Sequence, residues 1–306
     1  MREAWLPLAV LGALAAAPLL GFGGSYETTL MARAMILGMA AVSLAFLVGG
    51  AGLVSLGHAA ALGIGAYAGA ILDAHGVTDA ARVLPTAIGA AAVFSLVTGA
   101  IAIRTSGVHF IMITLAFGQM AFFTASSLAA YGGDDGYTMY SRTEVAGSRL
   151  LENRLAFHYI CLGALALTWA ICAMLLASRF GRVLRAAREN AQRVEAVGLA
   201  PYPFRLLGYT LAGAMGGLAG FLLANATEFV SPATLSWQRS GELLFMVILG
   251  GAGRLWGGML GALVFVVLET WLAQQMQHWK LVFGPLLVLA VIFLRGGLAG
   301  LVARRG

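Results

Sequence analysis

Ten apolar stretches follow one another along this chain, at 4–22, 30–48, 59–73, 83–103, 107–130, 157–178, 205–224, 241–253, 255–273 and 281–295. Most approach the roughly 17–25 residues that a helix needs to cross the hydrocarbon core of a bilayer. A fold surrounded by water cannot bury so many such runs. Globular domains are about 25% charged, whereas here 10% of residues are charged and 60% are hydrophobic. The pattern predicts an all-α, polytopic transmembrane helical bundle of about ten spans, forming one domain over residues 1–306. The stretches 59–73 and 241–253 are short and rich in glycine. Backbone that breaks at membrane depth must be buried in protein or line a cavity, because lipid cannot satisfy its polar groups.

An even number of crossings puts both termini on one side, and charge chooses which. Basic residues favour the cytoplasmic side, so the arginine-rich segment 179–204 is expected there. Counting outward adds Arg2, Arg104, Arg254, Arg295, Arg304 and Arg305 to the same side. The opposite side takes Glu27, Asp79, Lys280 and the loops 131–156 and 225–240. In the longer of these loops Asp134, Asp135, Glu144 and Glu152 offset Arg142, Arg149 and Arg154, while Arg33, Arg82 and Arg239 run against the scheme. The net charge of +6 does not point to nucleic acid, since the arginines punctuate apolar runs instead of lining a soluble surface. Pro18 directly after AAA argues against cleavage there, so the first apolar run is expected to be retained as a span. Cys161 and Cys172 share a helical face about three turns apart, too far to bond.

The stretch RFGRVLRAARENAQRVEAVG, 179–198, concentrates five arginines within fifteen residues. On a helix over 180–198, Phe180, Leu184, Ala187, Ala191, Val194 and Gly198 form one continuous apolar or small stripe. Arg182, Arg185, Glu189, Gln192 and Arg193 lie off it, with Glu189 four residues from both Arg185 and Arg193. Such a helix is too polar to cross. It either rests on anionic membrane lipid or docks onto a cytoplasmic protein.

This stretch, continuing into GLAPYPFRLLGYTLAGAMGGLAG, resembles the coupling loop and following span of the permease subunits of branched-chain amino-acid ABC importers. GGAGLVSLGHAAALGIGAYAGA, RTSGVHFIMITLAFGQM, YGGDDGY, FVSPATLSWQRSGELLFMVILGGAGRLWGGMLGA and RGGLAGL are similar to further motifs of that family, in the same order. The likeness is strongest to the M-type member of the two-permease pair. It implies a multi-pass protein of a bacterial-type inner membrane. The implied partners are a second permease subunit, two cytoplasmic ATPase subunits and an extracytoplasmic solute-binding protein. ATP would be used by those partners, with no cofactor in this chain. The resemblance makes 180–198 a coupling helix, with Arg182, Arg185, Ala186, Arg188, Glu189, Arg193 and Gly198 as the ATPase-coupling residues. The family usually continues YGGDDGY with small residues, whereas here the chain runs on as YTMYSRTEV, which bears on the solute carried.

Candidates for a translocation path or gate are Ser55, Gly57, His58, Thr114, Gln119, Asp134, Asp135 and Glu242. Ser55, Gly57 and His58 lie where the chain leaves one span for the next, so freed carbonyls there could meet a polar solute. His58 is equally readable as a buried structural histidine, and Thr114 and Gln119 as interhelical hydrogen-bonding groups. Asp134 and Asp135 sit in a glycine-rich turn, either a solvated turn or a mouth that meets solute. Glu242 and Glu269 lie near helix ends, where capping or reaching the interface explains them. The stretches beginning GGAG at 49 and at 250 echo each other, as in transporters built from repeats.

Enzyme motifs are missing. The lone Lys280, in QHWKLVF, lacks the glycine-rich turn of a phosphate loop. No HExxH or GxSxG occurs, and no His, Cys and Glu cluster has metal-ligand spacing. The rival to an ATP-driven permease is a gradient-driven secondary transporter or a solute channel. Ion coupling usually leaves ionisable groups at mid-membrane, whereas the carboxylates here gather at span ends.

Overall fold

The computed structural model describes residues 5–18, 24–145, 147–276, 278–293 and 296–304. Arg2, Arg295, Arg305 and the outer ends of the stretches 4–22 and 281–295 lie outside the described residues. Each apolar stretch contains a helix: α1 (Trp5–Ala16), α2 (Ser25–Phe46), α3 (His58–Ala74), α4 (Ala80–Ala102), α5 (Val108–Ser127), α6 (Arg154–Ala177), α9 (Pro201–Thr227), α10 (Trp237–Gly250), α11 (Leu255–Gln275) and α12 (Trp279–Phe293). Among the described residues, six are long and apolar enough to cross a membrane: α2 with its extension to Ala51, α4, α5, α6, α9 and α11. Between α6 and α9 lie α7 (Arg179–Glu189) and α8 (Ala191–Ala196), and α13 (Gly297–Arg304) closes the described chain. The helical polytopic bundle read from the sequence is the observed fold.

Helix α2 is its pillar. Residues 34–47 are buried without exception, packed by α6, α9, α10 and α11. A helix apolar on every side can be stable only inside protein or lipid. Helix α9 packs tightly on α3 and α4 because its glycines bring the backbones together. A methyl group at Gly220 would collide with the Leu62 carbonyl, and one at Gly217 would press on Ala91 and the Ala87 carbonyl.

The bundle has two chemically distinct ends. At one, α7 lies against a π-helical turn (Leu47–Ala51) that extends α2. There a Cβ at Gly49 would lie 3.1 Å from the Ala252 carbonyl oxygen, so the two GGAG stretches meet. Arg254 Nη1 donates to the Ala299 carbonyl at 2.6 Å, and Arg104 sits 6.0 Å from the Tyr202 ring centre. Among the described residues, Arg104 and Arg254 thus lie at the end that carries α7. At the other end, the loop 128–153 is pinned by the antiparallel pair β1 (Tyr137–Thr138) and β2 (Phe229–Val230). Thr143 N–H donates to Asn225 Oδ1 at 2.9 Å, and Arg142 pairs with Glu228 at 2.6 Å. Two of the three arginines that ran against the charge scheme are neutralised here: Arg33 by Glu269 at 3.1 Å and Arg239 by Glu242 at 2.6 Å. Arg82 stays exposed.

The segment 180–198 departs from the single helix its stripe predicts. Asn190 takes an extended conformation, φ −157° and ψ 102°, and its Oδ1 accepts from Arg193 N–H at 3.0 Å to start α8. Asparagine is a strong N-cap, and here that local bond outcompetes helix continuation. The stripe survives across the break, with Leu184, Ala187 and Val194 buried. The pairing of Glu189 with Arg185 and Arg193 does not form among the described residues. Cys161 and Cys172 are both buried and free.

Candidate functional site: a re-entrant segment braced by buried hydroxyls

Residues 52–57 run back into the bundle without helical structure. The depth follows from one contact. His58, the first residue of α3, places Nε2 2.7 Å from Ser43 Oγ. Ser43 lies two turns of α2 before Ala51, about 12 Å along the axis at a 1.5 Å rise per residue. The chain therefore doubles back by that distance before α3 begins, which explains why α3 has only 17 residues.

Peptide groups stranded at such depth need partners, each unsatisfied one costing several kcal/mol. Side-chain hydroxyls supply them. Thr114 Oγ1 accepts from Leu56 N–H at 3.3 Å, Ser55 Oγ from Gly57 N–H at 3.2 Å, and Ser240 Oγ from Ala59 N–H at 3.1 Å. Leu53 N–H reaches the Leu47 carbonyl at 3.3 Å. Ser55 Oγ also lies 3.5 Å from Tyr209 Oη, and Tyr209 meets Phe110 edge to face with ring centres 6.0 Å apart. Ser43 Oγ donates to the Ala40 carbonyl at 2.9 Å, leaving its oxygen to accept from His58 Nε2–H. His58 is thus a buried strut between α2 and α3.

Gly57 is required by approach, since a Cβ there would run into the Thr114 carbonyl. Helix α5 lies directly on the segment as a result. Phe110, Thr114, Gly118 and Ala125 are the buried residues of α5, a single narrow stripe on the bundle. Met112, Met120 and Phe123 are exposed on its other faces. Beside it, α3, α4 and α5 enclose an apolar groove of about 470 Å³ lined by Tyr67, Phe94, Phe117 and Leu235 among others.

Of the sequence candidates, Ser55, Gly57, His58 and Thr114 converge on this cluster. Gln119 is half-buried on α5, more than a turn beyond Thr114. Asp134 and Asp135 are exposed in a short 3-10 turn (Gly133–Asp135) at the loop end. Nearby, Asp73 at the end of α3 accepts from Tyr140 N–H at 3.0 Å and from Tyr137 Oη at 3.4 Å. Burial and the Asp73 carboxylate push the Tyr137 phenol above its ordinary range. Glu242 is occupied by Arg239.

The sequence reading missed Ser43, Tyr209 and Ser240. Its only signal for them was a hydroxyl on the buried stripe of an apolar run, as where Ser240 precedes Leu243 and Val247 on α10. Of the coupling candidates, Arg182, Arg185, Ala186, Glu189, Arg193 and Gly198 are exposed. Arg188 is exposed as well, but its guanidinium reaches back to the bundle: its Nη1 donates to the Gly49 carbonyl at 2.5 Å. Arg205 of α9, also missed, donates to the Ala187 carbonyl at 2.6 Å and holds the end of α7.

A polytopic helical bundle with a broken span, and a basic helix docked on the foot of that break, defines a multi-pass membrane protein of the permease class. The chain belongs to the family of permease components of branched-chain amino acid transport systems, whose model matches residues 27–292. It is 28% identical over 274 residues to the high-affinity branched-chain amino acid transport system permease protein LivM of Escherichia coli (strain K12), covering 82% of this chain and 64% of that protein. The LivM of Salmonella typhimurium is 28% identical over 95% of this chain and 73% of its own length. The autoinducer 2 import system permease protein LsrC of Klebsiella pneumoniae is 30% identical over 47% of this chain and 46% of its own. No solved structure matches the chain.

Proposed function

We propose that this chain is the membrane-spanning permease subunit of an ATP-driven importer of branched-chain amino acids or related small polar solutes. Separate cytoplasmic ATPase subunits would supply the energy, since the chain has no phosphate loop of its own. A second permease subunit would cover exposed apolar faces such as that of α5, and an extracytoplasmic binding protein would deliver solute to the loop end. In this reading the arginine end, with both termini, is cytoplasmic.

One observation carries the coupling role. A helix resting on lipid must bury its apolar face among acyl chains. The apolar face of α7 and α8 is already spent on the bundle, with Leu184 0%, Ala187 1% and Val194 5% exposed. What remains outward includes Arg182, Arg185, Glu189, Gln192 and Arg193, with the apolar Val197 beside them. A surface of that kind suits a protein partner with complementary carboxylates. Motion of the ATPases would then move α7 and switch the bundle between outward and inward openings.

The gradient-driven alternative needs ionisable groups free to bind ions at depth. The carboxylates nearest the spans are engaged, Glu269 by Arg33, Glu242 by Arg239 and Asp73 by Tyr140. The test is solute uptake into proteoliposomes holding the purified complex. Uptake should require enclosed ATP and survive a protonophore and a sodium ionophore; uptake that needs a gradient and no ATP contradicts the proposal.

A further inference from the structure

The turn 49–52 does two things at once. It is the seat of α7, and it is the foot of the re-entrant segment. Arg188 Nη1 donates to the Gly49 carbonyl, and the arginine stem lies over Gly52, where an added Cβ would stand 2.8 Å from its Cγ. Gly52 has φ +70°, a conformation that glycine adopts without strain. One turn earlier on α7, fully buried Leu184 covers Gly50, with 3.3 Å between its Cδ2 and a Cβ built there. On the far side Gly49 abuts the Ala252 carbonyl. The turn is therefore gripped between α7 and the α10–α11 connection.

Three residues beyond Gly52 the chain reaches Ser55, whose Oγ meets Tyr209 Oη. A second connection arrives at the same place. Arg205 holds the Ala187 carbonyl, and Tyr209 lies one turn further along α9. Helix α7 is thus joined to Ser55 both through the chain of 49–55 and through α9. The turn between them is π-helical, a geometry that occurs as single turns and often at functional sites.

We propose that Arg188 is a positioning residue that transmits displacement of α7 into the re-entrant segment 52–57, making that segment the moving part of the gate. Arg188 then acts through Gly49, whereas Arg182, Arg185 and Arg193 face the partner. This inference rests on the ATP-driven reading above and adds the route by which the energy arrives.

The test uses the full complex, co-purified with its ATPase subunits and reconstituted. Arg188→Met keeps the stem over Gly52 and deletes the donor, and Arg188→Lys keeps a stem and a cationic donor. The expected result for Arg188→Met is an assembled complex that still hydrolyses ATP but accumulates about tenfold less solute per ATP. Arg188→Lys should recover much of the loss. A second readout places a reporter in the segment itself, Leu56→Cys on a Cys161→Ala, Cys172→Ala background. Its rate of thiol labelling should change on adding non-hydrolysable nucleotide, and Arg188→Met should abolish that change.

Wild-type transport per ATP in Arg188→Met, or an unaltered nucleotide effect on Leu56→Cys, overturns the linkage. So does loss of the ATPase from the Arg188→Met complex alone, which would make Arg188 a docking residue. Absence of any ATPase from the unsubstituted preparation would instead strike at the importer reading on which the linkage rests.

Discussion

His58 Nε2 and Ser43 Oγ, 2.7 Å apart and both buried, fix the start of α3 to the last turn of α2, two turns before Ala51. This contact sets how far the chain re-enters after Ala51. Ser43→Ala would remove a buried hydrogen bond of His58, a loss of about 1 kcal/mol. The thermal midpoint of the purified protein in detergent should fall by several degrees. Ser178→Gly, at the exposed cap of α7, should move it less.

Gly57 and Gly89 make a matched pair of glycines. A methyl at Gly57 meets the Thr114 carbonyl, whereas one at Gly89 in α4 meets nothing within 4 Å. Gly57→Ala should displace α5, lower the thermal midpoint and abolish uptake. Gly89→Ala should leave both intact, and its greater helix propensity contributes up to about 1 kcal/mol of stability.

The Arg33–Glu269 pair joins α2 to α11 at 3.1 Å, with the glutamate the more buried partner. Arg33→Met strands that carboxylate among apolar helices. Because Arg33 is 39% exposed, the cost should sit below the several kcal/mol of a fully buried pair, on the order of 1–2 kcal/mol. Adding Glu269→Gln should restore most of the stability. A double-mutant cycle on the thermal midpoint measures the coupling, and additive losses would show that the pair contributes nothing.

Orientation can be read by labelling single cysteines, since Cys161 and Cys172 are buried. Gly136 is a poor site, with φ +85° and a Cβ position 2.6 Å from the Val230 carbonyl. Asp135→Cys and Gln192→Cys are exposed instead. In intact cells an impermeant thiol reagent should label Asp135→Cys and spare Gln192→Cys. Labelling of both from outside contradicts the assigned topology.

Hydropathy alone located every helix-bearing apolar stretch, because burial in lipid or in a crowded bundle demands the same residues. It also flagged α3 and α10 as short. What makes α3 short was only partly legible: Thr114 stood out as a hydrogen-bonding group, but the re-entry also depends on Ser43, Tyr209 and Ser240, lone hydroxyls in apolar runs whose partners lie far along the chain. The break at Asn190 was hidden for another reason. The 4-3-4-3-4 stripe continues across it, so periodicity reads one helix where a side-chain cap has started a second. Charge counting could not tell Arg188, which hydrogen-bonds back to Gly49, from Arg185, which forms no ion pair within the described chain, though the two are only three residues apart. The ion pairs of Arg33 and Arg239 explain why two arginines sit where charge counting did not want them.

The central claim is that the outward face of α7 and α8 engages an ATPase. Arg185→Glu tests it most directly, because Arg185 is exposed and no ion pair within the described chain depends on it. Within the helix the reversal costs only a few tenths of a kcal/mol, about the size of one surface pair. Against a partner carboxylate it costs about 2 kcal/mol or more. The measurement is co-purification of the ATPase subunits with the wild-type and Arg185→Glu chains from one membrane preparation. The account predicts that the wild type retains them and that Arg185→Glu inserts normally yet loses both the ATPase and uptake. An Arg185→Glu chain that keeps its ATPase and full uptake would contradict it.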